Sequence, residues 1–217
     1  MRRPLRTLLL LVLAGLPLLL IALADVVFVP VVEGRLEHRA RAAAKSASVQ
    51  ADIGSFPVVG RALAVGEVAS VDITWYGVAV GSMEATSLQL HLDGVGFDRG
   101  ELFSGKARIT GVESGDVRML ISASQLSRLF QRDVLIRGGE VRVRASRDVV
   151  VDVQVSATNR GLVLTAPGLE PVSAEVGEGQ MPCAPGASVE LGNLLLQCSF
   201  RGLPPILREN ARTAAHS

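Results

Sequence analysis

Two stretches of apolar–polar alternation, residues 68–75 and 88–93, constrain the fold of this chain more than any other feature. In the first, Val68, Ser70, Asp72 and Thr74 alternate with Ala69, Val71, Ile73 and Trp75. In the second, Leu88, Leu90 and Leu92 alternate with Gln89, His91 and Asp93. A period of two sends successive side chains to opposite faces of an extended backbone, so each stretch predicts a half-buried β-strand. The pattern returns at Val141–Arg144 and Val149–Val155, and further strands are expected over roughly 160–176 and 187–199. Glycines at 94, 96, 100, 105, 111, 115 and 138–139 break these runs and mark the turns of antiparallel connections.

Helical spacing occurs in only a few places. Val32, Leu36, Ala40 and Ala43/Ala44 recur at helical intervals, with Glu33, Arg35, Glu37, Arg39 and Arg41 on the other faces, which predicts an amphipathic helix. A short strand is expected over 48–53, then a turn into a short apolar helix that ends near Gly66. Ser122-Ala123-Ser124-Gln125 has the form of a capping box, and Ala123, Leu126, Leu129 and Phe130 then line one face of a helix able to lie on a curved sheet. The expected fold class is α+β, a long curved antiparallel sheet with few helices.

The N-terminus bounds where such a fold would work. Arg2, Arg3 and Arg6 precede an apolar run from Leu8 to Ala24, the layout of a secretory signal, and Ala22-Leu23-Ala24 offers a small-x-small cleavage pattern before Asp25. A retained anchor is the alternative, because Val26–Val32 resumes the apolar run. Both readings put the body outside the cytoplasm. Residues 1–24 are therefore read as a signal peptide or membrane anchor, and residues 25–217 as one domain large enough for a core or cavity. Removing residues 1–24 leaves 19 basic against 21 acidic residues, a net of −2, which argues against nucleic acid as a partner. Cys183 and Cys198 are expected to pair in an oxidising compartment, since two thiols without a nearby histidine do not make a metal site.

Chemistry for catalysis is missing from the sequence. No nucleophile elbow and no zinc-protease helix motif occur, and His38, His91 and His216 each read as surface residues. Gly100–Lys106 has phosphate-loop spacing, but Ala107 stands where magnesium requires a hydroxyl. Asp52, Asp72, Glu84 and Asp93 fall at alternating polar positions that solvated strand faces explain. No enzyme activity, cofactor or metal is expected. The aromatic fraction is only 4%, so any interior space would be aliphatic and suited to acyl chains.

Four segments, in this order and spacing, carry a resemblance: Ile53–Gly66 (Ile-Gly-Ser-Phe-Pro-Val-Val-Gly-Arg-Ala-Leu-Ala-Val-Gly), the strand series through Leu88–Val95, Gly115–Leu126, and Met181-Pro182-Cys183 through Cys198 to Pro205. Together they resemble the actinobacterial LmeA-like phospholipid-binding family. The resemblance implies a tubular lipid-binding (TULIP, BPI-like) architecture, in which a long curved sheet wraps around helices and encloses apolar space. It also implies residence in the cell envelope or periplasm, with phospholipid and the membrane surface as partners.

The expected function is to hold acyl chains in an apolar groove outside the cytoplasm, in support of lipid transfer or lipoglycan synthesis. A non-enzymatic envelope protein-interaction module is the alternative. Phe56, Val59 and Leu63 share one face of a short segment and Trp75 ends an alternating strand. With Leu126 and Phe130 they are the expected acyl contacts, ordinary core packing being the competing reading. Leu102 and Phe103, between Gly100 and Gly105, are the candidate membrane-contact tip, with burial under their own sheet as the equal alternative. Arg61, Arg118 and Arg142 are the arginines available to a headgroup, with plain surface roles as the alternative.

Overall fold

The computed structural model describes residues 30, 33–34, 37–38, 48–54, 58–80, 83–98, 100, 109–146, 149–158, 161–168, 170–175 and 181–204. The elements in chain order are β1 (Ser48–Asp52), α1 (Val58–Ala64), β2 (Glu67–Val80), β3 (Met83–Phe97), β4 (Ile109–Gly111), β5 (Ser114–Ser122) and α2 (Ala123–Phe130). They continue with β6 (Val134–Arg137), β7 (Glu140–Arg144), β8 (Val150–Ala157), β9 (Gly161–Thr165), β10 (Val172–Glu175), β11 (Gly186–Glu190) and β12 (Asn193–Arg201). The α+β character expected from the sequence holds, with antiparallel sheet dominant.

The strands divide between two sheets, where a single long one was expected. One has seven strands in the order β1-β2-β3-β5-β12-β11, with β4 beside β3; the other runs β10-β9-β8-β7-β6. The division falls at α2. Its capping box closes as expected, with the Ser122 hydroxyl accepting from the Gln125 N–H at 3.4 Å and the Gln125 side chain accepting from the Ser122 N–H at 3.0 Å. The helix then stops at Gln131, whose φ of 52° puts it in the left-handed region. The chain therefore leaves the first sheet after β5 and starts a new one. The run expected at 160–176 is two strands, β9 and β10. That at 187–199 is the hairpin β11–β12, which turns on Leu191-Gly192 with φ of 48° and 75°.

Simple alternation also fails to persist along the long β2–β3 hairpin. Val71, Ile73 and Trp75 turn inward as odd-numbered residues, but beyond Gly77 (φ 59°) the buried ones are Val78 and Val80. On β3 the inward series Leu88, Leu90, Leu92 likewise gives way beyond Gly94 (φ 58°) to Val95 and Phe97. Left-handed glycines break the pleat at both points and let each end of the hairpin keep its apolar residues on the core side. A Cβ at Gly94 would lie 2.7 Å from that of Glu113, so the position has no room for a side chain either.

The buried apolar residues form two clusters. The larger joins Met119 and Ile121 of β5 and Leu194 and Leu196 of β12 to Leu126 and Phe130 of α2 and to Val134, Val141 and Leu162 of the second sheet. The smaller places Val58 and Ala62 of α1 on Val68, Val71, Leu92 and Val95. Cys183 and Cys198 are bonded and tie the segment before β11 to β12. A loop of this length contributes about 3 kcal/mol by restricting the unfolded chain.

At the free edge of the seven-stranded sheet, the Ala51 N–H donates to Glu37 Oε1 at 3.3 Å and the Ile53 N–H to Glu33 Oε1 at 3.2 Å. Residues 30, 33–34 and 37–38 have helical backbone, in line with the amphipathic helix expected there.

Candidate functional site

A cleft of about 630 Å³ opens between the two sheets, where β7, β8 and β9 face the β11–β12 hairpin. Its walls follow from strand register. Val141 pairs with Val153, and Val155 with Leu164, so these side chains share the inner face of the second sheet. Opposite them, Ala187 pairs with Leu196 and Val189 with Leu194 on the inner face of the first. The charged neighbours Glu140 and Asp152 line the cleft as residues of alternate register, with side chains on the outer face.

The inner walls are thus aliphatic. Along β8, Val151, Val153, Val155 and Ala157 are all only half-buried, and so are Ala187 and Val189. Facing strands that packed fully would bury these positions. Here β8 and β11 touch only in part and leave an apolar slot whose size falls within the ~300–1,000 Å³ range of small-molecule sites. The slot is continuous with the larger cluster, since Val153, Val155, Ala187 and Val189 pack against its buried members.

Of the six expected acyl contacts, three belong to that cluster. Leu126 is 0% exposed and Phe130 5%, both buried in α2, and Trp75 is half-buried against the same cluster. Val59 and Leu63 lie in α1, the helix whose Val58 and Ala62 join the smaller cluster, and their own side chains fall outside the described residues. Phe56, Leu102 and Phe103 also lie outside the described residues. Val153, Val155, Ala187 and Val189 were not singled out from sequence. The signal was the unbroken valine alternation of residues 149–155, which fixes a strand but not what faces it.

None of the three arginines considered for a headgroup stands free. Arg61 pairs with Glu67 at 3.4 Å and Arg118 with Glu190 at 2.6 Å. Arg142 is held by Glu140 at 2.9 Å and Asp152 at 2.7 Å, and hydrogen bonds to these two carboxylates raise its pKa further above the ordinary value.

His91 is the one described histidine set among other ionisable groups. Its Nδ1 lies 2.6 Å from Asp72 Oδ1 and its Nε2 3.1 Å from Asp93 Oδ1. The hydrogen bond to Asp72 is the main cause raising its pKa above 6.5; partial burial opposes it, and charge attraction from both carboxylates adds to it. When the imidazole is protonated, both ring nitrogens can donate to these carboxylates. Among the described residues no group of His, Cys, Asp and Glu is arranged to hold a metal ion, and no helix is long and apolar enough to cross a membrane.

No curated protein and no solved structure matches this chain. A family model does, over residues 23–203, the whole of the described fold but for its last residue. The chain therefore belongs to the family described as LmeA-like phospholipid-binding.

Proposed function

We propose that this protein binds phospholipid outside the cytoplasm, holding acyl chains in the cleft between its two sheets, and that it acts by binding rather than by catalysis. The observation that carries the reading is the aliphatic slot between β8 and β11, open on two half-buried walls, in a member of a phospholipid-binding family. An acyl chain entering it leaves water at a gain of about 0.8 kcal/mol per methylene, and the walls need no specific polar group to accept one. Val153, Val155, Ala187 and Val189 are the wall residues that touch the chain. Trp75, Leu126 and Phe130 belong to the cluster that the slot adjoins and do not line the slot itself.

In this reading residues 1–24 export the body or anchor it to the cell envelope, and residues 25–217 act as a single lipid-binding domain. The disulfide and the signal-like N-terminus agree with an oxidising, extracytoplasmic compartment. The two open sheets correspond to part of a tubular lipid-binding wall, with Leu102-Phe103 as the segment meeting the membrane and lipid transfer or lipoglycan synthesis as the process served.

Native mass spectrometry of the full chain, purified from a membrane-containing host and then offered phospholipid vesicles, tests the proposal. The expected result is a co-purifying or acquired phospholipid near one per chain, reduced by polar substitution of Val153 and Val189. A chain that stays lipid-free after repeated exposure refutes lipid holding and turns attention to a protein-interaction role.

A further inference from the structure

The back of the seven-stranded sheet carries a second concavity, remote in chemistry from the cleft. In register across β1, β2, β3, β5 and β12 stand Gln50, Thr74, Gln89, Arg118 and Gln197. Two residues along each strand, a parallel row holds Asp52, Asp72, His91, Asp116 and Ser199. Paired residues of an antiparallel sheet project to the same side, so both rows rise from one face. Between them runs a trough of about 750 Å³ floored by the backbone of Ile73, Leu90, Val117 and Cys198, whose own side chains point to the other face of the sheet.

The two rows differ in how far they are satisfied. Most of the acidic row is bonded: His91 joins Asp72 to Asp93 of the next row, and the Ser199 hydroxyl donates to Asp116. These bonds fix the carboxylates in place and leave further oxygen lone pairs facing the trough. In the amide row, Thr74, Gln89 and Gln197 have no side-chain partner among the described residues. Just beyond it, on the same face, stands Tyr76, the only tyrosine of the chain, 43% exposed and without a hydrogen bond among the described residues.

Unpaired amides that both donate and accept, oriented carboxylates that accept, and an exposed aromatic ring form the set of groups that grips a sugar: hydroxyls bond to the first two and the C–H face of a pyranose stacks on the third. Three aspartates against His91 and an already paired Arg118 repel an anionic ligand. Strands lie ~4.8 Å apart, so neighbouring strands present Thr74, Gln89 and Gln197 at intervals comparable to the size of a sugar ring. We infer that this face is a binding site for a neutral oligosaccharide lying across the strands. The assignment does not depend on the lipid reading, because no trough side chain enters the cleft.

The test is an NMR titration of the isotope-labelled full chain with neutral linear hexose oligosaccharides of several linkages, and with a sulfated oligosaccharide and calcium chloride as separate probes. Side-chain amide signals of Gln89 and Gln197 are expected to shift with at least one neutral oligosaccharide and not with the sulfated one. Losing one ligand hydrogen bond in Gln89→Ala or Gln197→Ala is expected to weaken binding about fivefold. Tyr76→Ala removes the stacking surface and is expected to weaken it about tenfold. Thermal melts confirm that the variants remain folded. Overturning results are an absence of amide shifts at about 10 mM of every neutral oligosaccharide, shifts that Tyr76→Ala leaves unchanged, or a response to calcium alone.

Discussion

The two apolar clusters share one sheet and end differently. On the β2–β3 end, α1 lays Val58 and Ala62 onto Val71 and Leu92 and closes the smaller cluster. On the β5–β12 end the larger cluster is sealed by α2 at its centre, where Ile121 and Leu126 are wholly buried, yet toward β8 and β11 it opens into the cleft. The cover decides the outcome. A helix lowers side chains into the pleats of a sheet, whereas the valine- and alanine-lined faces of β8 and β11 touch only in part and leave their inward side chains half-buried. Alternating aliphatic sequence therefore builds a solid core in one place and an open slot in another.

The comparison can be broken most sharply at the sealed centre. Leu126→Ala is expected to destabilise the fold by about 3–4 kcal/mol, and Val71→Ala in the smaller cluster by about 2 kcal/mol, both read from denaturant melts. The reverse order would mean that α1, not α2, closes the principal core. Replacing Cys183 and Cys198 by serine is expected to cost about 3 kcal/mol. Because the bridge frames β11, lipid occupancy is expected to fall in parallel.

At the open slot the balance inverts. Val153→Asn and Val189→Asn are each expected to change stability by only about 1 kcal/mol, since both sites are half-exposed, while sharply lowering phospholipid uptake. A large stability loss without an effect on uptake would make this region core rather than site.

The smallest effect belongs to the sheet's polar face. The pKa of His91 is raised on folding, so its contribution is full below 6.5 and disappears as pH rises through the higher folded value. The groups facing the ring are Asp72 on β2, Asp93 on β3 and Asp116 on β5. The side chain is 40% exposed, which screens the pair and keeps the contribution under about 1 kcal/mol. His91→Gln should thus lower the melting temperature at pH 5.5 and leave it nearly unchanged at pH 8.5.

Local pattern carried much of the fold. The alternation at 68–75 and 88–93, the Ser122 capping box and the pairing of Cys183 with Cys198 were each legible because a few neighbouring residues, or a compartment, determine them. The reversal of facing at Gly77 and Gly94 was harder to see, since a glycine in a strand reads equally as a turn, and only its positive φ distinguishes the two. The division into two sheets depends on where β12 returns to pair with β5, a contact between residues more than seventy positions apart. The cleft was the least visible of all. Val153 and Val189 look like any buried valine in sequence, and what sets them apart is their place on the walls of the cleft.

The carboxylates of Glu33 and Glu37 on the outer edge of β1 have a consequence for how these molecules behave in a crowd. An unpaired strand edge is a template on which a neighbouring chain can add its own strand, and repeated addition ends in fibrils. Here the Ala51 and Ile53 amides are already occupied by charged side chains, so an incoming strand must displace two bonds and approach two negative charges before it gains anything. The edge thus resists edge-to-edge growth without being covered by another strand, and β1 remains the last strand on that side of the sheet.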